Sequence, residues 1–168
     1  MPRIQPSSPE ASRRMAKVRQ KGTDAEIALR RGLHQRGLRY RVDYEVLKKP
    51  RRVADVAFPG LKIAIFVDGC FWHGCPEHAT WPKQNAEFWR QKIEANRLRD
   101  ADTNSRLLAA GWTVLRFWGH QSPIEAAEAI AQTVAMAWQT RSAARRLLAH
   151  TKRTEQEDGG PHGNLERS

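Results

Sequence analysis

Within nine residues, the stretch Cys70-Phe71-Trp72-His73-Gly74-Cys75-Pro76-Glu77-His78 gathers two thiols and two imidazoles. Thiolate and imidazole are the donors a tetrahedral structural zinc prefers, and Cys70, Cys75 and His78 would supply three of its four ligands. His120, just past the β-rich run 112–118, is the best fourth donor, because a strand lying next to the preceding hairpin would bring its end to the same edge of the sheet. His73 is the alternative close in sequence. Two buried free cysteines with surface histidines form the competing reading, since the spacing is not that of a paired Cys-x-x-Cys knuckle. These are the only two cysteines of the chain, and in a reducing compartment their place beside histidines points to metal rather than to a disulfide.

Phe71 and Trp72 stand between the candidate ligands, on a loop that would lie at the surface. Rings clamped beside a basic surface can stack on bases or wedge between base steps, with Trp89 as a third member. The plainer reading of the local residues is that these rings pack over the metal site. Asp55 sits in the run Val53-Ala54-Asp55-Val56-Ala57-Phe58, where an acid is costly unless it is paired, exposed or bound to a cation. Magnesium takes oxygen ligands and keeps several waters, so one carboxylate, a backbone carbonyl of the adjacent strand and phosphate oxygens would suffice. An edge strand with Asp55 facing solvent is the other reading.

Trp89, Ile93, Asn96 and Asp100 fall at spacings of four, three and four, which puts two polar groups on the same helical stripe as two apolar ones. On that stripe Asp100 can accept a hydrogen bond from one ring nitrogen of His73 and fix its tautomer, leaving the other nitrogen to take a proton from water. Pairing of Asp100 with Arg97 or Asn104 is the plainer alternative. Lys92 and Asn96 border the stripe and can reach phosphates or base edges. Glu26 closes the capping box Thr23-Asp24-Ala25-Glu26, which is a structural task in itself.

The elements that must position these residues are legible. The capping box opens a helix that stops at Gly37; residues 38–44, with Leu38, Tyr40, Val42 and Tyr44 alternating, form a half-buried strand. Residues 53–58 and 62–67 are strands joined by Pro59-Gly60 as an antiparallel hairpin. Asn85 caps a long helix ending at Gly111, 112–118 is a further strand, and Ser122-Pro123-Ile124-Glu125 opens a last helix to about residue 150. This order predicts an α/β fold, one domain over 23–150 with a small central mixed sheet flanked by helices.

The 168 residues carry a net charge of +11, unevenly spread. Residues 1–22 hold +5 and read as a basic arm able to order on a phosphate backbone, or as a solvated terminus. Residues 151–168 hold −1, include Gly159-Gly160-Pro161, and read as a disordered tail. Such a balance calls for an anionic partner, of which nucleic acid is the commonest, although basic enzymes and membrane-surface proteins share it. No stretch reaches the ~20 apolar residues needed to span a membrane, and the start lacks the apolar core of a secretory signal. A cytoplasmic, nucleoid-associated protein with no membrane partner is expected.

Taken together, Arg13-Arg14-Met15, Thr23 with Glu26, Ala54-Asp55, the run from Val67-Asp68-Gly69 through Pro76, Glu87-Phe88-Trp89, Asn96 with Arg99-Asp100, and Gly111-Trp112-Thr113-Val114-Leu115-Arg116-Phe117-Trp118 resemble the very short patch repair (Vsr) endonucleases, over residues 12–121. The resemblance implies a restriction-endonuclease-like fold, a structural Zn2+, a catalytic Mg2+, and nicking of one strand of duplex DNA beside a T:G mispair, by a monomer with mismatch-repair proteins as candidate partners. By position it makes Asp55 a magnesium ligand with the Val67 carbonyl as companion, His73 the general base, Asp100 its orienting acid, and Glu26 an N-terminal active-site glutamate. Phe71, Trp72 and Trp89 fall where aromatic side chains enter the DNA, and Cys70, Cys75, His78 and His120 at the zinc ligands. Related restriction enzymes place an acid-x-lysine on the strand after the aspartate. Here Asp68-Gly69-Cys70 has no lysine, which suits a histidine base; some relatives carry histidine at the position of Asp68.

Overall fold

The computed structural model describes residues 22–78 and 85–158, with side chains described through residue 150. Most of the basic arm, including Arg13-Arg14-Met15, lies outside these residues, as does 159–168. The chain forms two compact units, Met1–Ala131 and Gln132–Ser168, divided within the last helix.

Helix α1 (Asp24–Gln35) begins where the capping box places it, with the Thr23 side chain accepting the Glu26 N–H. It buries Glu26, Leu29 and Leu33, at spacings of three and four, and the chain leaves it through Gly37 at φ +70°. Strand β1 (Arg41–Lys48) starts three residues later than the alternation of Leu38 to Tyr44 suggests and runs four further. Val42 is 46% exposed, while Tyr44, Val46 and Leu47 face the core cluster. The pairing with β2 accounts for Val46 and Leu47: it runs from Arg41↔Ala57 to Lys48↔Arg51 and shifts register between Glu45 and Leu47, so consecutive residues there reach the same side.

β2 (Arg51–Phe58) and β3 (Ile63–Asp68) form the expected antiparallel hairpin across one turn of 3-10 helix, Pro59–Leu61. α2 (Ala86–Ala109) then crosses over to β4 (Thr113–Trp118), which pairs parallel to β3. Asn85 precedes α2 without making a side-chain cap; its carbonyl accepts the Trp89 N–H instead. The sheet order β1-β2-β3-β4 is mixed, and β3, inside the sheet, is buried at Ile63, Ala64, Ile65, Phe66 and Asp68. Ile93, Thr103 and Leu107 of α2 are buried, and Leu107 joins Val46, Ala54, Ala64 and Phe66 in one apolar cluster. This is the α/β architecture of a small mixed sheet with helices packed on it that a restriction-endonuclease-like fold requires.

α3 (Pro123–Asp158) opens with Ser122 Oγ accepting the Glu125 N–H at 3.4 Å. Its first turns bury Ala126, Ala127 and Ile130; a Cβ on Gly32 of α1 would stand 3.0 Å from the Ala127 Cβ, so the glycine sets how closely these helices approach. The helix does not end near residue 150. It takes in 151–158, the first part of the stretch expected to be a disordered tail. Among the described residues no helix is long and apolar enough to cross a membrane.

Candidate active site and metal cluster

The β2–β3 ladder runs from Phe58↔Ile63 to Val56↔Ile65. Past it the Val67 N–H bonds to a side chain, Asp55 Oδ2, at 2.7 Å. Within a strand, the N–H and C=O of one residue leave on the same edge, so the Val67 carbonyl faces the edge on which Asp55 sits. Here a cleft of about 610 Å3 opens, lined by Asp55, Val67, Asp68, His73, Asp100 and Arg116 among others. Burial drives the Asp55 carboxyl up to about 6, against the Val67 hydrogen bond, and the charges of Glu26, Asp68 and Asp43 add to the rise.

His73 is brought to the cleft by the turn after β3 and meets α2. Its Nδ1 lies 2.5 Å from Asp100 Oδ2 and 3.7 Å from Asp68 Oδ1. α2 also holds the backbone of this turn: Asn96 Nδ2 donates to the Trp72 carbonyl at 2.8 Å, Arg97 Nη2 to the Gly74 carbonyl at 2.7 Å, and Arg97 Nε to that of His73 at 3.3 Å. Of the two readings for Asp100, the structure realises the pairing with His73. Burial alone would raise the Asp100 carboxyl, but the His73 hydrogen bond and the Arg116 guanidinium outweigh it and hold the group below the usual carboxylate range.

On the other side of the turn, Cys70, Cys75, His78 and His120 bring one donor atom each within 4.8 Å of one another. Cys70 Sγ is 3.0 Å and Cys75 Sγ 3.7 Å from His120 Nδ1, and Cys75 Sγ is 3.9 Å from His78 Nδ1. Two thiols and two imidazoles at one point are a donor set that suits tetrahedral zinc. Burial and the neighbouring Cys75 push the Cys70 thiol up. At Cys75, burial is outweighed by hydrogen bonds from the Glu77 backbone and from His78, and its thiol is lowered. His120 therefore joins the set as the sequence suggests, and His73 belongs to the other cluster.

Phe71, Trp72 and Trp89 make one aromatic cluster, with centroids 5.1–5.9 Å apart. Each ring is only partly buried, and Lys92 Nζ lies 5.4 Å from the Trp72 centroid, within cation–π range. Trp72, Lys92 and Asn96 line the cleft, so the aromatic cluster continues its wall. Glu26 lines it too, but its oxygens are committed: Oε2 accepts from the Gly22 N–H and from Arg30 Nη2, both at 3.0 Å, and Oε1 from Thr23 Oγ1 at 3.1 Å.

Reading the sequence missed Arg116 as a member of the site and left Asp68 without a task. Arg116 Nη1 contacts both Asp68 oxygens at 2.7 and 2.8 Å, and Nη2 lies 3.3 Å from Asp100 Oδ1. The signal was present: Arg116 interrupts Val114-Leu115-Arg116-Phe117-Trp118 as Asp55 interrupts its own apolar run, and a charge in such a strand needs a partner.

The sequence pattern of the family described as DNA mismatch endonuclease Vsr matches residues 7–78. The chain is 41% identical over 129 residues to the type II nicking enzyme V.NaeI of Lentzea aerocolonigenes, covering 73% of this chain and 75% of that protein. It is 42% identical over 109 residues to V.NmeDIP of Neisseria meningitidis serogroup C, across 63% and 71% of the two chains. With V.HpaIIP of Haemophilus parainfluenzae it shares 40% over 121 residues, 67% of this chain and 80% of the other. Similarity on this scale means that the chain belongs to the Vsr family of DNA endonucleases.

Proposed function

We propose that this DNA endonuclease nicks one strand of duplex DNA beside a T:G mispair, by magnesium-dependent hydrolysis in which His73 acts as general base. The observation that carries the reading is the His73–Asp100 pair opening into the same cleft as Asp55. With Nδ1–H donated to Asp100, the Nε2 lone pair is free to take a proton from the attacking water. Asp100 orients the ring and stabilises the positive charge it acquires.

Asp55 and the Val67 carbonyl would hold Mg2+, and the fit rests on the carboxylate itself: a half-buried acid surrounded by Glu26, Asp68 and Asp43 gains from a cation. The ion, when bound, neutralises charge on the phosphate and the leaving oxygen. Cys70, Cys75, His78 and His120 would hold a Zn2+ whose work is structural, clamping the loop that carries His73. Glu26 supports the entry to α1 and adds negative charge near Asp55.

Phe71, Trp72 and Trp89, with Lys92 and Asn96 beside them, form the wall at which the mispair would be opened. Unstacking costs a few kcal/mol, and less at a mispair than at a paired step, so a wedge there favours T:G. The relatives V.NaeI, V.NmeDIP and V.HpaIIP are type II nicking enzymes, and the family is that of the DNA mismatch endonuclease Vsr. One chain carries every side chain assigned a part in the reaction, which suits a monomer.

The test is a nicking assay on T:G and fully paired duplexes with and without magnesium. The reading expects a single-strand nick on T:G only when magnesium is present; equal nicking of both duplexes would remove the mismatch preference, and no magnesium-dependent nick would remove the reading. In the same assay His73→Ala should keep zinc and DNA binding and lose cleavage.

A further inference from the structure

Two carboxylates compete for one imidazole nitrogen in the cleft. His73 Nδ1 is 2.5 Å from Asp100 and 3.7 Å from Asp68, and Asp68, 9% exposed, cannot be left to water. What divides them is one guanidinium. Arg116, opposite Phe66 in the parallel pairing and stacked on its ring at 4.5 Å, has each of its three nitrogens engaged. Nε donates to Asn104 Oδ1 at 3.0 Å, Nη1 to both oxygens of Asp68, and Nη2 to Asp100 Oδ1. Asp100 is thereby split between two donors, Oδ1 to Arg116 and Oδ2 to His73, while both oxygens of Asp68 are turned to the arginine.

We infer that Arg116 is a positioning residue that makes Asp100, and not Asp68, the acceptor for His73, and that Asp68 serves as the anchor of that guanidinium instead of acting on the DNA. This rests on His73 being the base. The fork geometry matters, because an ammonium is a point charge that cannot hold two carboxylates and an amide in one plane. With the fork gone, the Asp68 oxygen nearest to Nδ1 is released, and the ring can rotate toward it and carry Nε2 away from the attack line. A misplacement on the order of 1 Å costs about 10²-fold in rate.

The experiment measures single-turnover nicking at saturating T:G duplex, duplex affinity, zinc content and Tm for Arg116→Lys, Arg116→Met, Asp68→Asn and the double variant Asp68→Asn/Arg116→Met, beside His73→Ala. Arg116→Lys and Arg116→Met should each slow nicking about 10²-fold while duplex affinity and zinc content stay within about threefold. A purely structural role would move Tm and not the single-turnover rate, and a purely charge-balancing role would be rescued by lysine. Because Asp68→Asn removes the competing charge, the double variant should nick at least as fast as Arg116→Met.

Two results overturn the inference: wild-type rates in Arg116→Lys, or losses that multiply when Asp68→Asn is combined with Arg116→Met. Should Arg116→Met not fold with two uncompensated acids, Arg116→Lys still decides. A fully active His73→Ala would instead remove the base assignment, whatever the arginine variants do.

Discussion

The Asp55 carboxylate takes the place of a strand partner for Val67, accepting its N–H at 2.7 Å where the β2–β3 ladder gives way to the cleft. Asparagine can accept the same bond without a charge. Asp55 is raised from 3.8 to about 6, so its ionised form destabilises the metal-free fold. At about 1.4 kcal/mol per pKa unit, the penalty is about 2–3 kcal/mol. It is complete above the folded value near 6 and vanishes as pH falls below the ordinary 3.8. Asp55→Asn should therefore raise Tm in metal-free buffer at pH 8, with the gain shrinking between pH 6 and 4, and should abolish nicking. Thermal unfolding over that pH series checks the sign; a lower Tm at pH 8 would count against a buried, uncompensated acid.

Asp100 runs the other way. Its carboxyl is held below the usual range in the fold, so the stability it contributes is present above the unfolded-state value and is lost as pH falls through the folded one. Asp100→Asn should lower Tm at pH 7 and have little effect under strongly acidic conditions. With the acceptor charge gone, His73 loses its fixed tautomer, and nicking should drop about 10²- to 10⁴-fold with duplex affinity nearly unchanged. A comparable loss of affinity would show that Asp100 shapes the DNA-binding surface instead.

The Cys70, Cys75, His78 and His120 cluster carries its own expectation. The purified protein should contain one zinc per chain, and Cys75→Ser, at the buried member of the set, should lose it. Because a structural site contributes binding energy to folding, chelation should lower Tm and nicking together, and magnesium should not restore either. Elemental analysis with thermal unfolding before and after chelation measures this. Unchanged Tm in a metal-free sample would leave the four donors as a pair of thiols beside two imidazoles.

Much of this arrangement was legible because the signals were local. Thr23 and Glu26 mark a helix start, Pro59-Gly60 a hairpin, and Cys70, Cys75 and His78 lie in one short stretch. His73 with Asp100 was reachable from the helical stripe of Trp89, Ile93, Asn96 and Asp100. What escaped depends on pairing across the sheet. The edges of β1 follow from its register with β2, which the alternation of Leu38 to Tyr44 does not encode. The task of Arg116 follows from β4 lying parallel to β3, which sets it opposite Phe66 and within reach of Asp68. Asp68 in turn looked free only because its partner is 48 positions away.

Gly74 joins the two clusters, standing between His73 and Cys75 at φ +62° with Ile93 of α2 against it. A Cβ there would lie 2.8 Å from Ile93 Cγ2 and 3.2 Å from both Nε and Nη2 of Arg97. Ile93 is 2% exposed and has no room to swing away. Arg97 cannot move without dropping the carbonyls of His73 and Gly74. Gly74→Ala should then cost about 1–2 kcal/mol for the left-handed backbone and about 1–3 kcal/mol for overpacking, which lowers Tm by about 10 °C. The loop would be forced off α2, so nicking should fall further than zinc content does. The two costs are separable: Ile93→Leu takes the branching methyl away at nearly constant volume, so Gly74→Ala/Ile93→Leu should recover the overpacking share and leave the backbone share. Tm values of the four proteins in that cycle measure the split, and simple additivity of the two substitutions would show that Ile93 is not what the alanine meets.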